Sequence, residues 1–181
     1  MNEIEVQRRA TLAETGVPAH EIHQAAEEIC EKAIEDAREQ LHPLLKNVVL
    51  HQLKKRRNFL QAFKRALEQR TAQTLAAWYP GVQEVFQFEE SWMRDKETWD
   101  GSLHLLIKVP RLSDTLKDLG TKLDANLTPR LQQLGWSRFR GHRSLLEVQQ
   151  VTVDELRHGI SYGAMFHAAY SIPVKVWSPK R

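Results

Sequence analysis

The chain has 181 residues, of which 41% are hydrophobic, 27% charged and 8% aromatic, and its formal net charge is +3. That composition can bury a core, which excludes disorder over most of the chain, and the single cysteine, Cys30, excludes an internal disulfide or a multi-cysteine metal knot. No run approaches the ~18 apolar residues of a membrane span, and the opening Met-Asn-Glu-Ile-Glu lacks a basic, apolar leader, so the expected location is cytoplasmic.

The charge is unevenly distributed. Residues 1–45 hold ten acids against four bases, a net −6, whereas residues 46–70 hold eight bases against Glu68 alone, a net +7. After Gly16-Val17-Pro18, the residues Ile22, Ala26, Ile29, Ala33, Ala37 and Leu41 recur at helical spacing. They predict an acidic amphipathic helix with a narrow apolar stripe. His42-Pro43 interrupts it, because proline removes a backbone donor and crowds the preceding turn.

A second helical period runs from residue 44 to 78 through Leu45, Val49, Leu53, Leu60, Phe63, Leu67, Leu75 and Trp78, and Tyr79-Pro80-Gly81 ends it. A helix of that length would span roughly 50 Å and calls for a helical partner. Residues 1–80 are accordingly expected to form a helical hairpin with an oligomerising role, coiled-coil in character. Residues 81–181 are expected to form a small α+β domain.

There the period changes to two. Val82 to Trp92 alternates as a strand, a charged loop follows, and Leu103 to Val109 reads as its hairpin partner. Ser113 is positioned as an N-cap with Asp114 in the first turn. Leu116, Leu119, Leu123, Leu127 and Leu131 then predict a leucine-rich helix, which Thr128-Pro129 is expected to restart. Leu145–Val153 and Ala164–Trp177 read as two more strands flanking a helical turn at Asp154–Gly159. The expected fold class is α+β, a ββαββ unit whose antiparallel sheet lies on the leucine-rich helix, preceded by the acidic and basic helices.

The basic block Lys54, Lys55, Arg56, Arg57, Lys64 and Arg65 is the most distinctive candidate site. Cations in this density suit nucleic-acid phosphates or an acidic protein partner. The competing reading pairs Glu27, Glu28, Glu31 and Glu35 with Lys54 to Arg65 in an antiparallel helix pair, which would choose partner and register. In that reading Ile22, Ile29, Leu53, Leu60, Phe63 and Leu67 form the helix-pairing stripe, so Leu60 and Phe63 are core rather than base-stacking platforms.

His20, His23, Glu27 and Cys30 share one helical face at metal-ligand spacing, but no second cluster accompanies them, and no metal or other cofactor is expected. His158 and His167 are the weak catalytic candidates. His158 before Gly159 suits a helical C-terminus, and His167 is expected on a strand face. No Walker, dinucleotide-binding or zinc-protease motif is present. The leading expectation is a non-enzymatic interaction or scaffold protein, acting as a homo-oligomer or as a subunit of a larger assembly, with itself or another protein as partner. Nucleic-acid or ribosome association through residues 46–70 comes second, and an enzyme using a histidine acid/base third.

Overall fold

The structure is a computed structural model that describes residues 16–41, 52, 57–90, 103–134, 144–168 and 171–179. Its elements are α1 (Ala19–Leu41), α2 (Arg57–Trp78), β1 (Glu84–Glu90), β2 (Leu103–Val109), α3 (Asp114–Gln133), β3 (Leu146–Thr152), α4 (Val153–His158), a 3-10 helix (Ser161–His167) and β4 (Ser171–Trp177). The protein is α+β, with helices first and a four-stranded sheet packed against helices. No helix among the described residues is long and apolar enough to cross a membrane.

Strand order is β3-β2-β1-β4. β1 pairs antiparallel with both β2 and β4, but β2 and β3 run parallel, with Leu103 opposite Leu146 and Val109 opposite Thr152. The sheet is therefore mixed rather than antiparallel. The physical reason lies between those strands: a parallel pair needs a long crossover, and α3 is that crossover. Ser113 starts α3 as expected, its Oγ accepting from the Leu116 N–H at 3.4 Å. The helix then runs unbroken through Pro129, where a restart was expected.

Alternation along the strands separates two faces. Val85, Leu103, Leu105, Ile107, Val109 and Leu146 join the main buried cluster beneath the helices. Phe86, Leu106 and Val151 are buried on the opposite face. The helices form two further layers. α2 lies against β2 and β4, and α3 against β3, so the sheet is covered by two helices and not by the leucine-rich one alone.

α1 rests on both α2 and α3. It runs antiparallel to α2, since Asp36 bonds Arg70 while Ala25 and Ala77 line one groove. It runs parallel to α3, since His23 meets Asn126 and Glu31 meets Arg130. Two neighbours explain why its buried face is wider than the single stripe predicts. Cys30 and Ile34 are buried beside Ile22, Ala26, Ile29, Ala33 and Ala37. The middle of that face is small (Ala26, Cys30, Ala33, Ala37), which lets the three backbones approach closely.

Two expected elements change. The helix expected over residues 44–78 is described as Arg57–Trp78, and the kink at His42-Pro43 lies outside the described residues. The strand expected at Ala164–Trp177 begins only at Ser171, because residues 161–167 form the 3-10 helix. Gly159 and Gly163 explain the difference. Gly159 sits at φ 62° as the C-cap of α4, a left-handed conformation that favours glycine. A Cβ at Gly163 would lie 2.1 Å from the Glu155 carbonyl oxygen, so the close approach that the glycines permit is to the backbone of α4, not to a strand.

The small-residue seam yields a stability prediction. Ala33 is fully buried between helices, so Ala33→Leu should cost about 1–3 kcal/mol by overpacking. Ala125→Leu on the exposed side of α3 should stay within about 0.5 kcal/mol of the parent. Urea denaturation of both variants checks this, and equal midpoints would show that the seam tolerates bulk.

Candidate functional site

Several charged side chains among the described residues meet one another across elements. Arg70 of α2 donates from Nε and Nη2 to the two carboxylate oxygens of Asp36 on α1, both at 2.8 Å. The hydrogen bond to Asp36 is the main cause that raises the Arg70 pKa above its ordinary value. Arg130 of α3 reaches Glu31 at 3.0 Å and Glu27 at 3.8 Å on α1. Glu68, on the buried side of α2, lies 3.6 Å from Lys64, and its carboxylate faces the side-chain amide of Gln87 on β1.

These contacts bear on the expected pairing of acidic and basic helices. Asp36 faces Arg70, and Gln40 and Gln69 line one groove, so Leu41 ends α1 about level with Lys64–Arg70. Moving from Arg70 to Arg57 covers roughly 20 Å at 1.5 Å per residue, well past that end. Glu27 and Glu31 meet Arg130, and Glu28 meets Lys32. Among the described residues, Asp36 of α1 therefore serves α2, Glu27 and Glu31 serve α3, and Glu28 pairs within α1.

Of the candidate binding residues, Lys64 faces Glu68 and Arg65 is exposed. Lys54, Lys55, Arg56, Leu53 and the side chain of Arg57 lie outside the described residues. Ile22, Ile29, Phe63 and Leu67 are buried in the main core and Leu60 packs partly against it. Phe59 and Phe63 stack within the core at 6.0 Å between ring centres.

His158 and His167 each bond a nearby backbone carbonyl. His158 Nδ1 donates to the Asp154 carbonyl at 2.8 Å, beside the Gly159 cap, which is the helical-turn role expected of it. His167 stands at the end of the 3-10 helix rather than on a strand, and its Nε2 donates to the Leu156 carbonyl at 3.2 Å. His23 contacts Asn126, Glu27 turns to Arg130, and burial pushes the Cys30 thiol up to about 12, which makes it a poor thiolate ligand or nucleophile at neutral pH. Among the described residues no group of three or more His, Cys, Asp or Glu is placed to hold a metal ion.

Two arrangements escape the sequence reading. On the face away from the helices, Glu84 accepts from Lys108 at 2.9 Å and from Lys175 on the other neighbouring strand. His104 Nδ1 stands 3.1 Å from Glu147 across the parallel β2–β3 pair. Both depend on strand register, which spacing along the chain does not encode.

The other arrangement is the crossover from β3 to β4. Those strands are the two edges of the sheet, so the chain between them must cross it. The 3-10 helix touches both, and Phe166 meets Phe86 edge-on at 4.9 Å. The Glu155 carboxylate anchors the crossover. It accepts from the Thr152 N–H at 2.8 Å, from Thr152 Oγ1 at 3.0 Å and from the Ser161 side chain, and the bond from the Thr152 backbone leads in holding its pKa low.

Around this anchor lies exposed apolar surface. Ile160 (55% exposed) and Tyr162 (40%) flank Ser161, and Val153 (38%) follows Thr152. The other exposed large apolar side chains among the described residues are Leu112, just before α3, and Val174 on β4. A polar groove of about 400 Å³ runs along the α1–α2 seam, lined by Asp36, Glu39, Gln40, Gln69, Arg70 and Gln73.

The ladder on Glu84 gives a pH prediction. The bonds from Lys175 and Lys108 lower its pKa from 4.5, so its contribution to stability is present above that value and is lost as pH falls. Glu84→Gln should cost about 0.5–1 kcal/mol at pH 7, and the gap should close below pH 4.5. Denaturant titrations from pH 3 to 7 check it; a gap independent of pH would mean that the contact is not ionic.

Comparison with protein-family models, with curated proteins and with solved structures finds no match to this chain.

Proposed function

We propose that this chain is a non-enzymatic interaction protein, working as a homo-oligomer or as a subunit of a larger assembly. The observation that carries the reading is the exposed apolar group Val153, Ile160 and Tyr162 around the β3–β4 crossover. These three residues lie within ten positions of one another, on a segment that costs the fold two special glycines and a carboxylate anchor to hold in shape. Clustered apolar exposure on an ordered segment marks a contact surface, whereas scattered apolar residues need no explanation.

This reading moves the contact surface. Of the helix-pairing stripe, Ile22, Ile29, Phe63 and Leu67 are already covered within the chain and Leu60 is partly so, which favours the crossover as the contact surface. The buried thiol of Cys30 suits a reducing compartment, in keeping with a cytoplasmic protein.

A photo-crosslinking residue placed at position 160 in the full chain, expressed in the cells it comes from, tests the reading. The expected outcome is a discrete crosslinked species heavier than the 21.0 kDa chain. No such species at position 160, with the same result at 162, would remove its basis.

A second reading is favoured by one observation: Glu27 and Glu31, two of the acids first expected to pair with the basic block, meet Arg130 of α3. Phosphate binding through Lys54, Lys55, Arg56 and Arg57 then follows as nucleic-acid association. Fluorescence anisotropy with single- and double-stranded probes at about 50 mM salt should detect binding, and changing the four residues to Gln should flatten its salt dependence. Absence of binding at that salt ends this reading.

A further inference from the structure

Resting on the interaction reading above, we infer that the crossover surface binds a second copy of this chain about a two-fold axis, with Asp154 of one copy facing Arg157 of the other. The surface is compact because its residues share one anchor. Thr152 and Ser161 both bond the Glu155 carboxylate, so their neighbours Val153, Ile160 and Tyr162 lie around a single point. The Gly163 backbone sits against Glu155, and the Ile160 N–H bonds the Glu155 carbonyl at 3.2 Å, which fixes the 3-10 helix against α4.

The choice of a second copy rests on charge. α4 carries one acid and one base at its exposed surface, Asp154 at 81% and Arg157 at 69% side-chain exposure, only 3.9 Å apart. Such an exposed pair adds little within one chain and is free to exchange partners. A two-fold contact requires that one patch be complementary to itself: if residue i meets residue j, then j meets i. An apolar centre bordered by one charge of each sign meets that condition. A surface with a single sign would instead select a partner of the opposite sign.

Sedimentation velocity of the full chain at 10–100 µM, a range of about tenfold, tests the inference by mass action. The wild-type chain should approach twice the 21.0 kDa monomer mass as concentration rises. Ile160→Asp and Tyr162→Glu should each sediment as monomers with an unchanged melting transition, because both parent side chains are exposed. Asp154→Arg and Arg157→Asp should each weaken self-association about tenfold or more through like-charge contacts.

The two charge variants mixed in equal amounts should recover a dimer. The arginine introduced in one variant then meets the aspartate introduced in the other, and native Arg157 of the first meets native Asp154 of the second. A variant that had merely misfolded could not be rescued in this way. A wild-type chain that stays monomeric throughout overturns the inference. If position 160 still crosslinks to a different protein, the interaction reading survives and only the choice of partner falls. A dimer that Ile160→Asp and Tyr162→Glu leave intact, or a mixture that stays monomeric, also overturns it.

Discussion

The position of every other element depends on how closely α1 can approach α2 and α3. α1 spans the groove between them, and its central residues Ala26, Cys30, Ala33 and Ala37 are fully or almost fully buried there. Side chains no larger than a thiol keep the three helix axes close. The larger residues Ile22, Ile29 and Ile34 close the edges of the contact. With α1 seated, α2 and α3 are held side by side over the sheet, and their leucines and phenylalanines meet Leu103, Leu105, Ile107 and Val109 from above. Dense packing of this kind makes a single methylene costly, so the seam sets the spacing of all three layers.

Ionic contacts then select one arrangement among those that packing allows. Asp36–Arg70 fixes the register of α1 on α2, and Arg130 with Glu27 and Glu31 fixes it on α3. Each contact is partly exposed, so each contributes modestly to stability. Their value lies in orientation: α1 is antiparallel to one neighbour and parallel to the other, and apolar stripes alone do not distinguish those senses. The Glu84 ladder plays the same part in the sheet, joining β1 to both of its neighbours.

The crossover on the opposite face has a different character. It buries Phe86 under Phe166 and so completes the second side of the sheet, yet it leaves Ile160 and Tyr162 in solvent. Ser161 adopts φ 48°, an uncommon conformation for a residue with a side chain, and bonds Glu155. A segment that only linked two edge strands would need neither this backbone conformation nor apolar residues on its outer side. That contrast ties the proposed function to the crossover rather than to the helices.

Much of the fold was legible in the sequence because it rests on local chemistry. The Ser113 cap, the leucine period of α3, the alternation of β1 and β2, and the Gly159 stop after His158 are signals carried within a few residues, and the structure has each of them. Strand pairing was not legible: the parallel β2–β3 pair depends on where α3 returns the chain, and so does the contact of His104 with Glu147. The strand expected at Ala164–Trp177 is present from Ser171, but Ala164–His167 belong to a 3-10 helix, because the close contact between Gly163 and α4 outweighs a short local alternation. The charge blocks were plain in the sequence, but their partners were set by helix register, which sent Glu27 and Glu31 to Arg130. Sequence alone determined which residues could be helix, strand or core, since propensity and period act locally. Tertiary structure decided which charges meet and which apolar residues stay exposed, because those depend on distances between segments far apart in the chain.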